Sequence, residues 1–214
     1  MAELRLIIID NATMMFFNNH WKIQMLEGLL EAICWGTVIF VWIIGAIYNY
    51  LKVPVIRKGN NSIQMLLPIV LVWAVMEHIP KSYWALITYE ANWSKFVGAI
   101  VLVVFTIFTL WSRIVLGKMW SGRALIKENH ELHTEGPYSI TRHPIYAGIL
   151  GMLLGTAFIN DFGVFLAFFL CVFILFKVKI NNEEKLLIET FGEEYKAFQK
   201  RTPQLFFRLR FSKK

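Results

Sequence analysis

The chain has 214 residues, of which 57% are hydrophobic, 15% aromatic and only 17% charged, with a mean hydropathy of +0.51. That balance excludes an ordinary soluble domain and a disordered chain, and it indicates a membrane protein. The formal charge of +7 raises the question of nucleic acid, but the basic residues lie between apolar runs. Orientation in a bilayer accounts for them, and no nucleic-acid partner is expected.

In chain order, "MAELRLIIIDNATMMFF" carries Glu3 ahead of a short apolar stretch and has no small-residue cleavage site. It reads as a retained interfacial segment, not a signal peptide. A helix needs about 20 mostly apolar residues to cross the hydrocarbon core. The first span is predicted over roughly 29–51 and the second over roughly 63–79, with Pro68 near its start and Glu77-His78 near its end. The third is predicted over roughly 96–116. The fourth starts at Pro144, a favoured first helical position, and runs to about Ile159. After a tight turn at Asn160-Asp161, the fifth covers roughly 162–180. The last two are short, which suits a helical hairpin packed inside a bundle. No linker, repeat or low-complexity segment interrupts the chain. The predicted architecture is an all-α polytopic membrane protein with about five transmembrane helices. Residues 1–116 form the interfacial segment and three spans, and residues 117–214 form a second, cofactor-binding region.

The loop with Lys52, Arg57 and Lys58, the stretch from Arg113 to Arg142 and the lysine-rich C-terminal tail all fall on one side of five spans. The C-terminus is therefore expected on the cytoplasmic side of the inner membrane, with the N-terminus outside. On the fourth span Ala147, Gly148, Gly151 and Gly155 form a small-residue face for close helix packing. Cys34 and Cys171 sit in apolar runs and read as buried small hydrophobes.

The segment "GPYSITRHPIYAG", residues 136–148, holds the chemistry. Arg142 and His143 stand where the fourth span meets water, and an ionisable group there faces protein, water or a ligand. Pro137 and Pro144 push the residues before them out of helical geometry. An irregular loop with exposed backbone donors should then feed a helix N-terminus suited to a carboxylate or phosphate. Irregular backbone at membrane depth is tolerated where it lines a cavity, so a ligand pocket is expected. Because Tyr138 and His143 lie outside the apolar spans, replacing them is expected to weaken ligand binding without unfolding the chain. Downstream, "KVKINNEEKLLIETFGEEYKAF" reads as a helix leaving the bilayer and continuing along its surface. Lys179 and Glu183 share a helix face there, and an intrahelical ion pair explains that spacing as well as a site does.

The stretch "GKMWSGRALIKENHELHTEGPYSITRHPIYAGILGMLLGTAF", followed by "EEKLLIETFGEEYKAFQKRTP", resembles the isoprenylcysteine carboxyl methyltransferase family, in particular its short prokaryotic members. Membrane phospholipid and thiol methyltransferases share the general pattern. The resemblance covers roughly Gly117 to Pro203. It implies an S-adenosylmethionine-dependent methyltransferase acting on a membrane-embedded, lipophilic or lipidated acceptor, most simply the carboxylate of an isoprenylcysteine-like substrate. It also implies a cytoplasmic cofactor pocket formed by the loop before the fourth helix and the C-terminal helix.

By the same resemblance the cofactor contacts are Arg123, the run His130, Glu131, Leu132 and His133, Tyr138, the run His143, Pro144, Ile145 and Tyr146, and Glu183. Arg142, Lys179 and Glu183 are the implied catalytic group. Lys179 stands where the eukaryotic enzymes have an arginine associated with the acceptor. An RHPNY-type element also occurs in sterol and steroid reductases that use NADPH, so a reductase is the alternative activity, and a noncatalytic scaffold or transporter a third. His130 and His133 lack the HExxH spacing and a third ligand, so no metal site is expected.

Overall fold

The computed structural model describes residues 2–52, 55–58, 66–89, 91–117, 125–127 and 132–205. Helix α1 runs unbroken from Ala2 to Lys52, about 77 Å at 1.5 Å per residue. The N-terminal residues thus continue the first span's helix instead of forming a separate segment, since no proline or glycine precedes Gly28. Next come α2 (Leu66–His78), the single turn α3 (Lys81–Trp84) with a 3₁₀ turn at Ala85–Ile87, and α4 (Asn92–Leu116). After these follow α5 (Pro137–Ile140), α6 (Pro144–Ile159), α7 (Gly163–Phe191) and α8 (Glu193–Arg201).

Among the described residues, three helices are long and apolar enough to cross a membrane: Trp21–Tyr48 within α1, Trp93–Leu116 within α4, and α7. Helices α2 and α6 are apolar but shorter, about 20 and 24 Å against a core of about 30 Å. The expectation of an essentially helical membrane protein holds. One element was not anticipated: strand β1 (Val55–Lys58) pairs antiparallel with β2 (Leu125–Lys127). This ribbon ties the chain after α1 to the segment that leads into the candidate site.

The small-residue face of α6 packs on α4. A Cβ at Gly148 would lie 2.1 Å from Thr109 Oγ1, and one at Gly151 2.1 Å from Phe105 Cγ. At Gly155 it would meet the backbone nitrogen of Leu102 at 2.6 Å, and Gly98 on α4 returns the contact, 2.8 Å from the Gly155 oxygen. With no side chain between them the two backbones approach closely, which maximises dispersion contact where lipid offers no hydrophobic drive for association. The hydroxyls of Thr106, Thr109 and Ser112 bond back to carbonyls one turn earlier, at 2.7, 2.6 and 2.6 Å, so α4 carries these groups through the apolar interior without an unsatisfied donor.

The tight turn expected at Asn160-Asp161 is present, with Asp161, Phe162 and Gly163 all at positive φ. It is held from outside: Asn160 Nδ2 donates to Glu31 Oε1 on α1 at 2.7 Å, and Lys95 on α4 lies 3.2 Å from Asp161. Helix α7 runs eleven residues past the predicted end of the fifth span, because no breaker intervenes before Gly192 (φ 54). Lys179, Glu183 and Glu184 therefore ride on one rigid helix with the apolar span, which fixes their position relative to α6.

Candidate active site

The sharp bend at Gly136 (φ 56) lies against Trp111, and Tyr138 follows it, buried, in the turn of α5. Thr141 is extended, Arg142 and His143 are non-helical, and Pro144 opens α6. The expected loop feeding a helix N-terminus is thus present. Two of its backbone donors, however, are not free for a ligand: Arg142 N–H donates to Pro203 O at 2.8 Å and His143 N–H to Gln204 O at 3.2 Å. Thr141 Oγ1 adds a bond to Gln204 O at 2.8 Å. Residues 203 and 204 therefore occupy the two backbone donors that immediately precede α6.

Arg142 is spent in the same way. Its Nε and Nη2 donate to Glu184 Oε1 at 2.8 and 2.7 Å, and its Nη1 donates to the carbonyls of Gln199, at 3.2 Å, and Thr202. His143, only 7% exposed, lies 3.2 Å from the same Glu184 oxygen through Nε2, and Gln199 Nε2 donates to Glu184 Oε2 at 3.1 Å. This is a buried ionic lock that fastens α8 and the following segment to the start of α6. It corrects the expectation that His143 can be replaced at no cost to the fold. Tyr195 of α8 is buried against the lock, and burial raises its phenol pKa, so it stays protonated.

Adjacent residues on a helix point about 100° apart, and that rotation divides the Glu183-Glu184 pair. Glu184 faces the lock, whereas Glu183 faces Tyr146, whose hydroxyl donates to Glu183 Oε1 at 2.7 Å. Lys179 Nζ lies 3.9 Å from Glu183 Oε1 and 5.4 Å from the centre of the Tyr146 ring. His143 Nδ1 is 3.9 Å from Glu183 Oε2. The Tyr146 ring leans on Phe176 at 4.9 Å between centroids, and His133 approaches Tyr138 at 6.3 Å. Burial lifts the Tyr138 phenol pKa; nearby Arg113 opposes that rise and Glu183 adds to it. Tyr138 therefore stays a neutral hydroxyl between a cation and an anion.

Of the residues singled out in the sequence, Tyr138, His143, Tyr146, Lys179 and Glu183 come together, with His133 beside Tyr138; Pro144 is buried, and Ile145 and Leu132 are half-buried. Arg123, His130 and Glu131 lie outside the described residues. Two residues were missed. Glu184 has the same sequence signal as Glu183 and differs only in helical phase. Arg113, counted with the loop charges although it falls near the end of the third predicted span, belongs to the last turn of α4 and is 7% exposed. Its Nη1 donates to Gly117 O at 3.0 Å, and a Cβ at Gly45 of α1 would lie 2.0 Å from its Nη2. The polar stripe Thr106, Thr109, Arg113 at helical spacing was the available signal.

An essentially helical membrane bundle, with paired carboxylates, tyrosines and a lysine at one end of a short helical hairpin, is the class that fold and site define. Residues 93–194 match the phospholipid methyltransferase family. The chain is 35% identical over 77 residues to the protein-S-isoprenylcysteine O-methyltransferase of Schizosaccharomyces pombe, covering 36% of this chain and 33% of that protein. It is 31% identical over 115 residues to protein-S-isoprenylcysteine O-methyltransferase B of Arabidopsis thaliana, covering 52% and 58%. The chain thus spans less than two thirds of either relative. Its fold matches the structure of a eukaryotic intramembrane Ras methyltransferase, isoprenylcysteine carboxyl methyltransferase, with a TM-score of 0.53 over 68% of this chain and 53% of that one, at 23% identity. The sequence matches are thus to phospholipid and isoprenylcysteine methyltransferases, in keeping with the resemblance read from the sequence, and the fold is shared with an isoprenylcysteine carboxyl methyltransferase.

Proposed function

We propose that the chain is an integral membrane methyltransferase that uses S-adenosylmethionine to methylate a lipophilic acceptor, an isoprenylcysteine-like carboxylate being the reading the residues suit best. The observation that carries this is the grouping of Glu183, Tyr146, Tyr138 and Lys179 across α5, α6 and α7, inside the region similar to methyltransferases. The donor set fits the cofactor. A half-buried carboxylate, Glu183, suits its cationic part, and the faces of Tyr138, Tyr146 and His133 suit the adenosine. Because Arg142 is committed to Glu184, Lys179, beside Glu183 and the Tyr146 ring, is the cation placed to meet a carboxylate. When bound, S-adenosylmethionine would supply a methyl group on a sulfonium.

The residues of the chain then do three things. Glu183, held by the Tyr146 hydroxyl, anchors the cofactor cation. Lys179 holds an anionic acceptor close to it, and the rings of Tyr146 and Phe176 exclude water. A carboxylate acceptor needs no general base, so in-line positioning and desolvation account for the catalysis. In this reading residues 117–214 form the cofactor region, and residues 1–116 supply the membrane scaffold. The two shorter helices complete five passes of the inner membrane, with the site on the cytoplasmic side, and the acceptor arrives laterally from the lipid. Calorimetric titration of the detergent-purified protein tests the assignment. Saturable binding of S-adenosylhomocysteine and none of NADPH is expected; the reverse pattern would make it a reductase, and no binding of either would leave a noncatalytic scaffold.

A further inference from the structure

Beside the ionic lock, on the side of α7 that carries Glu184, lies a crevice of about 470 Å³. It is lined by Phe173, Lys177, Arg142, Gln199, Gln204 and Leu205, among others. Lys177 and Lys179 are two residues apart and so point about 200° apart around the helix. The crevice is therefore separate from the Lys179–Glu183 side, and the inference does not depend on the proposed activity.

Three features define what the crevice would accept. The first is charge. Among the described residues, Lys95 has Asp161, Lys179 has Glu183, Lys196 has Glu193 and Arg142 has Glu184, whereas partly buried Lys177 bonds only the neutral amide oxygen of Gln204. A partly buried ammonium without an anion beside an apolar wall is unfavourable and attracts one. The second is a lipid-facing stripe: Leu170 is 52% and Ile174 61% exposed, and with Phe173 they continue about 10 Å up α7 from Lys177. The third is depth, for Lys177 lies where the apolar part of α7 gives way to polar residues. A cation and amides at the membrane surface, with an apolar stripe rising from them, match a headgroup phosphate joined to an acyl chain.

We propose that this crevice binds one anionic membrane phospholipid, its phosphate on Lys177 and the Gln204 amide, and its acyl chain along Phe173, Ile174 and Leu170. The lipid contacts segment 202–205, whose carbonyls receive the Arg142 and His143 donors, and so braces the lock from outside.

The test uses the full-length detergent-purified protein and follows its thermal unfolding midpoint during titration with phosphatidylglycerol, phosphatidylcholine or inorganic phosphate. Phosphatidylglycerol should raise the midpoint saturably, with little effect of the other two. Lys177→Gln should weaken the apparent affinity about five- to tenfold, the loss of one lysine contact at a charged membrane surface. Lys177→Arg should keep it, and Lys185→Gln, the same charge change at an exposed position of α7, should leave it unchanged. Equal losses in Lys177→Gln and Lys185→Gln would reduce the effect to general surface charge and overturn the site. Equal response to phosphatidylcholine, or full response to inorganic phosphate, overturns the lipid. No response to any lipid overturns it too, as it would if residues 206–214 filled the crevice. Should Lys177→Gln not fold, Phe173→Ala must weaken phosphatidylglycerol binding, and an unchanged affinity sinks the proposal.

Discussion

Glu183 and Glu184 are chemically identical neighbours, yet opposite effects are expected when each is replaced by glutamine. Glu184 accepts two bonds from Arg142, at 2.7 and 2.8 Å, and one from Gln199, at 3.1 Å, and lies 3.2 Å from His143. Removing one partner of a buried ion pair costs about 3–5 kcal/mol because the other charge is left uncompensated. Glutamine keeps an oxygen acceptor and the side chains are 10–11% exposed, so Glu184→Gln should cost about 2–3 kcal/mol, at the level of a lost charge-assisted hydrogen bond. The thermal unfolding midpoint should fall clearly. Glu183, by contrast, holds one direct hydrogen bond, from Tyr146, with the Lys179 ammonium 3.9 Å away. Glutamine can still accept from Tyr146, so Glu183→Gln should move the midpoint little. If Glu183 anchors the cofactor cation, the same change removes about 1.5–3 kcal/mol of charge-assisted binding, or roughly ten- to 150-fold in S-adenosylhomocysteine affinity. Thermal unfolding followed by tryptophan fluorescence, and calorimetric titration of both variants at one pH, separate the two effects. Should the two substitutions behave alike in both assays, the division of the pair by helical phase is wrong.

Gly151→Leu should prevent α6 from seating on α4, since even a Cβ would stand 2.1 Å from the Phe105 ring; loss of a monodisperse detergent-purified species checks this, and a folded, stable variant would contradict it. Lys179→Ala should leave cofactor affinity nearly unchanged and raise the apparent KM for a carboxylate acceptor. Lys179→Arg should preserve or improve that KM, because a guanidinium grips a carboxylate at two points; a change in cofactor affinity without a change in KM would assign Lys179 to the cofactor instead.

The membrane class, the apolar stretches, the small-residue face of α6 and the turn at Asn160 could all be read from the chain. Each depends on local composition or on the 3.6-residue period, which tertiary contacts do not alter. Tyr138, Tyr146 and Glu183 were legible through motif resemblance, and the structure brings them together. The sequence could not assign the partner of each charge. Arg142 looked like a ligand-binding cation because its companions Glu184, Gln199 and Thr202 lie 42 to 60 residues away, and only the return of the chain after α8 closes that lock. The burial of Arg113 could not be read from the chain because it depends on a notch at Gly45 in another helix. The roles of Glu183 and Glu184 separated only when α7 ran unbroken to Gly192, fixing the rotation of both carboxylates against α6. Long-range pairing of buried charges is decided by which helices meet and in what rotation, and that information lies in the packed bundle, beyond any local window of the chain.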